Sequence, residues 1–161
     1  MSTPDVAIPA EGPVLGIDPG GKRVGVAVLN ILGMVLPIGY LDADPRDALV
    51  KKIAALALDR QCVGIVVGLP LNMDGTESPG SKLSRALARE LGAAAKLPVE
   101  VYDERLTSHS AEGKLAGLGL TRRMKKANVD ALAAAAILET WFSEKRATKK
   151  PPPSELEEES E

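Results

Sequence analysis

The sequence predicts an α/β fold with a mixed five-stranded sheet, three antiparallel strands followed by parallel strands, flanked by helices on both faces. Two observations support this prediction. Three apolar segments follow one another closely at the start of the chain, with turn residues between them, as in an antiparallel meander. Beyond residue 44, segments with helical spacing alternate with apolar segments, which is typical of parallel strands joined by crossover helices.

The strands are expected where apolar runs are bounded by turn residues. The turn after the first strand contains Pro19, Gly20 and Gly21, the strongest turn formers. The run Val63–Val67 is apolar throughout and rich in β-branched residues, so we expect it to be buried on both faces. The predicted strands are 13–18, 23–29, 33–41, 63–67 and 98–103.

The helices are expected where apolar residues recur at helical spacing. The first begins at Asp44-Pro45, because Asp is a good N-cap and Pro suits the first helical position. A second helix is predicted from about Ser81 to Lys96. Two more are predicted near 108–118 and 128–145, the last of them rich in alanine.

Length and composition indicate one compact domain with an aliphatic core. The chain has 161 residues, of which 45% are hydrophobic and only 2% aromatic, which argues against a base-stacking platform for single-stranded nucleic acid. The single cysteine, Cys62, precedes an apolar run and is expected to be a buried thiol. Neither a signal peptide nor a membrane-spanning stretch is apparent, so we expect a soluble cytoplasmic protein without a membrane partner.

Charge is distributed unevenly and suggests the domain limits. The net charge is −2, but the residues from 151 onward contain five Glu and no basic residue, so the body has a net charge of +3. We expect a flexible leader at 1–12, one folded domain at 13–147 and a disordered acidic tail at 148–161. The tail is interpreted first as solubilising, and second as a competitor of nucleic acid for the basic body.

Three acidic residues stand where apolar segments end or helices begin. Asp18 closes the first strand, Glu104 closes the last strand, and Asp130 is expected in the first turn of the last helix, where the helix dipole favours it. The strand ending at Glu104 is expected to be a parallel neighbour of the first. Small residues on the helix face of Asp130, Ala133 and Ala134, would let this helix lie close to the sheet. The three carboxylates can therefore meet at one edge.

If they meet, they need divalent cations to neutralise them. A set of carboxylate oxygens suits Mg²⁺ or Mn²⁺, and two such ions about 4 Å apart can activate water and stabilise the leaving oxygen of a phosphodiester. A histidine-based zinc site is excluded because His109 is the only histidine. Each acid also has an ordinary interpretation: a turn residue at Asp18, a helix-start acid at Asp130, and a surface partner of Arg105 or Lys22 at Glu104.

Four sequence blocks resemble the YqgF/RuvX family. They are GIDPGGKRVGVAV at 16–28, VGLPLNMDGTE at 67–77, DERLTS at 103–108 and VDALAA at 129–134. The blocks occur in the family's order and extend over nearly the whole predicted domain. The resemblance implies a ribonuclease H-like fold and a metal-dependent nuclease acting in Holliday junction resolution or in maturation of the 5′ end of pre-16S ribosomal RNA. By motif position, Asp18, Glu104 and Asp130 would be its catalytic, metal-binding acids.

Related resolvases often use a fourth carboxylate, and Asp103 is expected to point to the opposite face of its strand from Glu104. Basic and amide side chains near the acids are candidates for holding phosphates, with a structural role as the rival interpretation, strongest for the turn former Asn72. The substrate-binding candidates are Lys22, Arg23, Asn72, Arg105, Arg122, Arg123, Lys125 and Lys126.

Alternative functions remain open at the level of sequence. The Asp18 turn between two strands also resembles the phosphate hairpin of actin/hexokinase-like ATP-binding proteins, although that group normally uses two such domains. A non-catalytic nucleic-acid clamp is the third possibility. Branched DNA and precursor ribosomal RNA are both compatible with the mildly basic body, and a two-fold symmetric junction would favour a homodimer.

Overall fold

The computed structural model describes residues 7–107 and 122–149, with side-chain surroundings for 7–107 and 129–145. Within these parts, the strands and helices follow the predicted order. The strands are β1 (Val14–Pro19), β2 (Arg23–Leu29), β3 (Val35–Asp42), β4 (Gly64–Leu69) and β5 (Val99–Asp103). The helices are α1 (Arg46–Asp59), α2 (Pro79–Ala95) and α3 (Arg122–Lys149), and one 3-10 turn covers Glu104–Leu106. The helix predicted near 108–118 lies outside the described residues.

The five strands form one mixed sheet in the order β3-β2-β1-β4-β5. β1 pairs with β2, and β2 with β3, in antiparallel fashion. β1 pairs with β4, and β4 with β5, in parallel fashion. The predicted fold class is confirmed, with β1 at the centre of the sheet as expected.

One face of the sheet packs on α1 and α2 through large aliphatic side chains. Residues alternate between the faces of a strand, so Leu15 and Ile17 of β1 point to this side together with Ile65 and Val67 of β4. The helices contribute Leu49, Ile53, Leu87 and Leu91 to the same cluster. All of these side chains are buried, which makes this face a continuous branched-aliphatic core.

The other face packs on α3, and several of the residues that line it are much smaller. It carries Gly16 and Asp18 of β1, Gly25 and Ala27 of β2, and Gly68 of β4. Helix α3 meets it with Ala134, Ala135, Ile137, Leu138 and Trp141, all of them buried. Because this sheet face has few side-chain atoms, the alanine-rich helix lies close to the strands.

Three predicted helix starts are corrected. The first helix begins at Arg46, with Pro45 as the flanking residue and no side-chain cap, so Asp44 does not act as the N-cap. Helix α3 begins at Arg122 rather than near Asn128. The predicted second helix begins two residues early, at Pro79, because Ser78 caps it: the Ser78 hydroxyl accepts the Ser81 N–H at 2.9 Å.

The segment before β1 is fixed to the domain at Ile8. This side chain is buried and lies against Gly64, where an added Cβ would be 2.6 Å from it. The Ile8 N–H donates to the Glu100 carboxylate at 3.0 Å, and the Lys145 ammonium donates to the Ile8 carbonyl. The expected leader is thus anchored from residue 8, while residues 1–6 and the tail from 150 lie outside the described part.

Two further expectations concern the cysteine and membrane-spanning helices. Cys62 is buried as predicted, and burial raises the pKa of its thiol to about 11, which keeps the thiol protonated. Across the described helices, none combines the length and apolar character needed to cross a bilayer.

Candidate active site

The carboxyl groups of Asp18 and Glu104 are in hydrogen-bond contact. Burial raises the pKa of Asp18, the hydrogen bond donated by Glu104 opposes this rise, and the nearby charge of Asp130 adds to it. Burial, the bond to Asp18 and the charges of Asp18 and Asp103 together raise the pKa of Glu104 to about 9. Two acids so close cannot both be ionised without compensation, so the pair retains one proton, on Glu104.

Glu104 reaches Asp18 across an intervening strand. β4 lies between β1 and β5, so the expectation that the strand ending at Glu104 is a direct neighbour of the first strand is wrong. The contact forms because β4 carries Gly68 at this level, where an added Cβ would lie 2.4 Å from Glu104 Oε1. A side chain at this position would overlap the Glu104 carboxyl group.

Asp130 is brought to the same edge by the close approach of α3. In the antiparallel register, Asp18 is opposite Gly25, and an added Cβ on Gly25 would lie 1.9 Å from the Asp130 carbonyl oxygen. The backbone of Asp130 therefore rests directly on β2 beside Asp18. Its carboxylate forms an ion pair with Arg23, whose Nε is 2.8 Å from Oδ2. Arg23 in turn stacks on Tyr40, 5.1 Å from the ring centroid.

The expected dipole contribution to Asp130 is corrected. Since α3 begins at Arg122, Asp130 lies in its third turn, beyond the first turn where the dipole acts. What favours its charge is the Arg23 guanidinium. The ordinary interpretation of Glu104 as a surface partner of Arg105 or Lys22 does not hold, because Glu104 bonds Asp18 and Arg105 bonds Asp103.

The donor chemistry of the site fits a hard divalent cation. Glu104 Oε1 and Asp130 Oδ2 are both buried without a hydrogen-bond partner, although Asp130 Oδ2 forms the ion pair with Arg23. Gly68 leaves room beside Glu104. Carboxylate oxygens with free lone pairs are the ligands that Mg²⁺ and Mn²⁺ prefer. In the described part of the chain, however, no three acidic, cysteine or histidine side chains surround one point closely enough to hold an ion. Asp18 and Glu104 meet each other, while Asp130 is held aside by Arg23.

The substrate-binding candidates fall into three groups. Lys22 is exposed in the turn after β1, and Arg23 is half-buried in its ion pair. Asn72 and Arg105 are engaged within the loop that follows β4. The remaining candidates lie on the first turns of α3, where side-chain surroundings are not described: Arg122, Arg123, Lys125 and Lys126. The lone histidine, His109, lies outside the described residues.

Asn72 forms bonds within its own loop. Its amide donates to the Thr76 hydroxyl at 3.0 Å and to the Glu77 carbonyl at 3.1 Å. Its backbone N–H donates to the Thr76 carbonyl at 2.9 Å. This pattern is the turn-forming role that the sequence offered as the rival to substrate contact. Asp103, the residue considered for a fourth carboxylate, is bound by Arg105.

Sequence reasoning missed the three glycines that make the site possible. An added Cβ on Gly16 would lie 2.4 Å from the Leu138 side chain, and Gly25 and Gly68 admit Asp130 and Glu104 in the same way. All three are in strands, where glycine weakens β-structure and often marks a close approach of another group. That positional signal was present in the sequence, although it could not identify the approaching group.

The chain is similar to known proteins in both sequence and fold. The RuvX family model, described as Holliday junction resolvase, matches residues 12–144. A protein of Anaeromyxobacter sp. (strain K), named "Putative pre-16S rRNA nuclease", is 43% identical over 129 residues, which cover 80% of this chain and 94% of the relative. A protein of the same name from Methylobacillus flagellatus is 39% identical over 140 residues, covering 86% and 96% of the two chains.

Two solved structures share the fold. RuvC of T. thermophilus, solved in complex with a Holliday junction substrate, aligns with a TM-score of 0.56 at 20% identity, covering 88% of this chain and all of that one. The Fowlpox virus resolvase, solved with Holliday junction DNA, aligns with a TM-score of 0.54 at 11% identity, covering 83% and 98%. These likenesses confirm the ribonuclease H-like fold that the sequence blocks implied.

Proposed function

The chain belongs to the RuvX family, and from this membership together with its carboxyl pair we propose that it is a metal-dependent endonuclease acting on structured nucleic acid. The observation that carries the proposal is the contact between Asp18 and Glu104 at the end of the central strand, with Asp130 beside them. A divalent cation can compensate the repulsion between two buried carboxylates that otherwise share a proton. The catalytic residues in this proposal are Asp18, Glu104 and Asp130.

The three acids would hold Mg²⁺ or Mn²⁺. When bound, such a cation activates water and stabilises the leaving oxygen of the phosphodiester. To bind it, Glu104 must release its proton, which its raised pKa opposes, so binding is expected to strengthen as the pH rises toward 9. Arg23 holds Asp130 and supplies a positive charge beside the acids.

The proposed substrate is branched DNA or precursor ribosomal RNA. The family is described by Holliday junction resolution, and the curated relatives by pre-16S rRNA. Phosphates would be held by basic residues that flank the acids, so affinity should fall steeply with salt. These residues are Lys22, Arg23, Arg122, Arg123, Lys125 and Lys126. Asn72 is bonded within the loop after β4, and Arg105 contacts that loop from the 3-10 turn after β5.

The catalytic assignment is tested by Asp18→Asn and Glu104→Gln. Both variants are expected to lose at least 100-fold in cleavage rate, because each removes an acid from the pair, while substrate affinity changes little. Asp59→Asn is the matched control, since Asp59 is exposed at the end of α1, away from the site. Cleavage is measured with Mg²⁺ and with Mn²⁺. Undiminished cleavage by either site variant would refute the mechanism.

The substrate is decided by offering a four-way junction and a ribosomal RNA precursor side by side. Faster cleavage of the junction would favour a homodimer, since a symmetric junction presents two equivalent strands, and sedimentation of the protein–junction complex would measure the number of copies. Binding without cleavage in either metal would instead indicate a nucleic-acid clamp. A nucleotide titration that gave saturable ATP binding would support the kinase-like alternative.

A further inference from the structure

The loop between β4 and α2, from Pro70 to Ser78 (the Pro70–Ser78 loop), is closed at its base by its own polar groups. The Ser78 hydroxyl donates to the Pro70 carbonyl at 2.5 Å. Glu77 receives Arg85 of α2 in a two-pronged contact, at 2.7 and 3.1 Å. Within the loop, the Thr76 N–H donates to Asp74 Oδ1 at 3.0 Å. The base of this exposed loop therefore has a defined shape.

The tip of the loop is held by Arg105, which comes from a different element. Arg105 Nη1 donates to the Met73 carbonyl at 3.0 Å. The other side of the guanidinium grips the Asp103 carboxylate: Nη2 is 2.7 Å from Oδ2, and Nε is 3.1 Å from both oxygens. Asp103 also accepts the Arg105 backbone N–H at 2.9 Å. Asp103 fixes the guanidinium, and the guanidinium fixes the loop.

The loop also leaves room for this contact. Gly75 has φ +89°, a left-handed conformation that glycine adopts readily, and its N–H donates to the Asn72 carbonyl at 2.8 Å. An added Cβ on Gly75 would lie 3.6 Å from both terminal nitrogens of Arg105. The guanidinium thus lies against the turn at the loop tip, and the charge of Asp74 adds to its attraction.

The position of Arg105 in the chain connects this clamp to the acids. Arg105 directly follows Glu104, and Asp103 directly precedes it. The residues that hold the loop tip therefore flank the acid that bonds Asp18. A shift of the loop and a shift of the Glu104 backbone are linked through one short segment, the 3-10 turn Glu104–Leu106.

We propose that Arg105 is a positioning residue: it clamps the Pro70–Ser78 loop to the end of β5, so that the loop guides a nucleic-acid strand to Asp18 and Glu104. In this role Arg105 acts through the loop and not by binding a phosphate. The role of the loop rests on the proposed nuclease function, but the clamp itself does not. The alternative is direct phosphate contact by Arg105, and the two predict different results when Asp103 is changed.

The clamp is tested by amide hydrogen exchange on the full chain, without metal or substrate. Arg105→Ala is expected to speed exchange of the Gly75 and Thr76 amides about tenfold, because the bond to the Met73 carbonyl is lost. Met73→Ala is the matched control: it removes the exposed side chain and keeps the carbonyl, so exchange should stay as in the wild type. Unchanged exchange in Arg105→Ala would overturn the clamp whether or not the protein cleaves nucleic acid.

The positioning role is tested by substrate affinity at several salt concentrations. Asp103→Asn and Arg105→Ala are both expected to raise KM about tenfold, while the slope of affinity against salt stays unchanged. Arg105→Lys keeps the charge but loses the two-pronged guanidinium, so its KM should stay close to that of Arg105→Ala. A direct phosphate contact predicts the opposite: Arg105→Ala would lower the salt slope by about 1, and Asp103→Asn would free the guanidinium and leave KM unchanged or lower. That result would overturn the proposal.

Discussion

The two faces of the sheet are built from different residues and serve different purposes. On the α1/α2 face, Leu15, Ile17, Val24 and Val26 fill the space between sheet and helices with branched side chains. On the α3 face, the same two strands offer Gly16 and Gly25, and the helix comes down onto the backbone. Both faces are buried, and on the second the backbone of a helix contacts a strand.

The difference shows how a fold can combine stability with an acidic site. Branched aliphatic side chains on one face contribute burial of apolar surface, the main stabilising term in folding. Glycine in a strand buries less apolar surface than a branched residue and has a lower β-propensity. These glycines let Asp130 and Glu104 approach Asp18, so three acidic side chains lie at one half-buried edge of the sheet.

The largest effect is expected from Gly25→Ala. An added Cβ would stand 1.9 Å from the Asp130 carbonyl oxygen, a backbone atom that cannot move without shifting α3. We expect the free energy of unfolding to fall by about 3 kcal/mol, the upper end of overpacking effects, and the melting temperature to fall by roughly 10 °C. Cleavage should also be lost, because α3 carries Asp130.

Gly21→Ala is the control for this variant. Gly21 lies in the turn before β2, and an added Cβ there would meet nothing within 4 Å. Its melting temperature should stay within about 2 °C of the wild type, as expected for a surface change. Equal melting temperatures for the two alanine variants would contradict the close approach of α3 to β2.

A smaller effect, a coupling energy, is expected between Gly16 and Leu138. An added Cβ on Gly16 would overlap the Leu138 side chain, at 2.4 Å from Cγ. Gly16→Ala alone overpacks the site and Leu138→Ala alone leaves a cavity, so each should destabilise the protein by about 2–3 kcal/mol. In the double variant the new methyl group fills part of the cavity. Its destabilisation should therefore be about 2 kcal/mol smaller than the sum of the two single destabilisations. Urea unfolding of all four proteins measures the coupling; strict additivity would show that the two residues do not touch.

Sequence patterns predicted the elements of both faces better than their arrangement. The alternation of apolar residues located all five strands, and the central place of β1 followed from its apolar character and from its position between antiparallel and parallel partners. Periodicity does not specify which parallel strand is the neighbour of which, so β4 was not expected between β1 and β5. The start of α3 was missed because its first residues, from Arg122 to Lys126, are basic except for one methionine and show no apolar stripe.

The candidate site was predicted in part for the same reason. The acids themselves could be identified, since each stands at the end of an apolar segment or near an alanine-rich one. Their contacts could not be predicted, because these depend on the absence of side chains at Gly25 and Gly68. These two glycines belong to strands that carry none of the three acids. Likewise, Arg105 was expected to face a phosphate, whereas its partners in the structure are Asp103 and the Met73 carbonyl. Sequence identifies charged groups, and three-dimensional packing assigns their partners.

The smallest effect concerns the acids of the α3 face in the absence of metal. Glu104 has its pKa raised from 4.5 to about 9 in the fold, so the folded state retains a proton that the unfolded state loses. Stability therefore falls as the pH rises from about 4.5 to 9, and levels off beyond that. Glu104→Gln removes this loss, and at pH 7 it should stabilise the metal-free protein by roughly 1 kcal/mol, a figure reduced for the partial exposure of the carboxyl. The gain should vanish at pH 4. Melting curves between pH 4 and 9 measure it, with Glu11→Gln, at an exposed position before β1, as the control. A gain that did not grow with pH would show that Glu104 is ionised in the metal-free fold, and that the α3 face bears its acids without a shared proton.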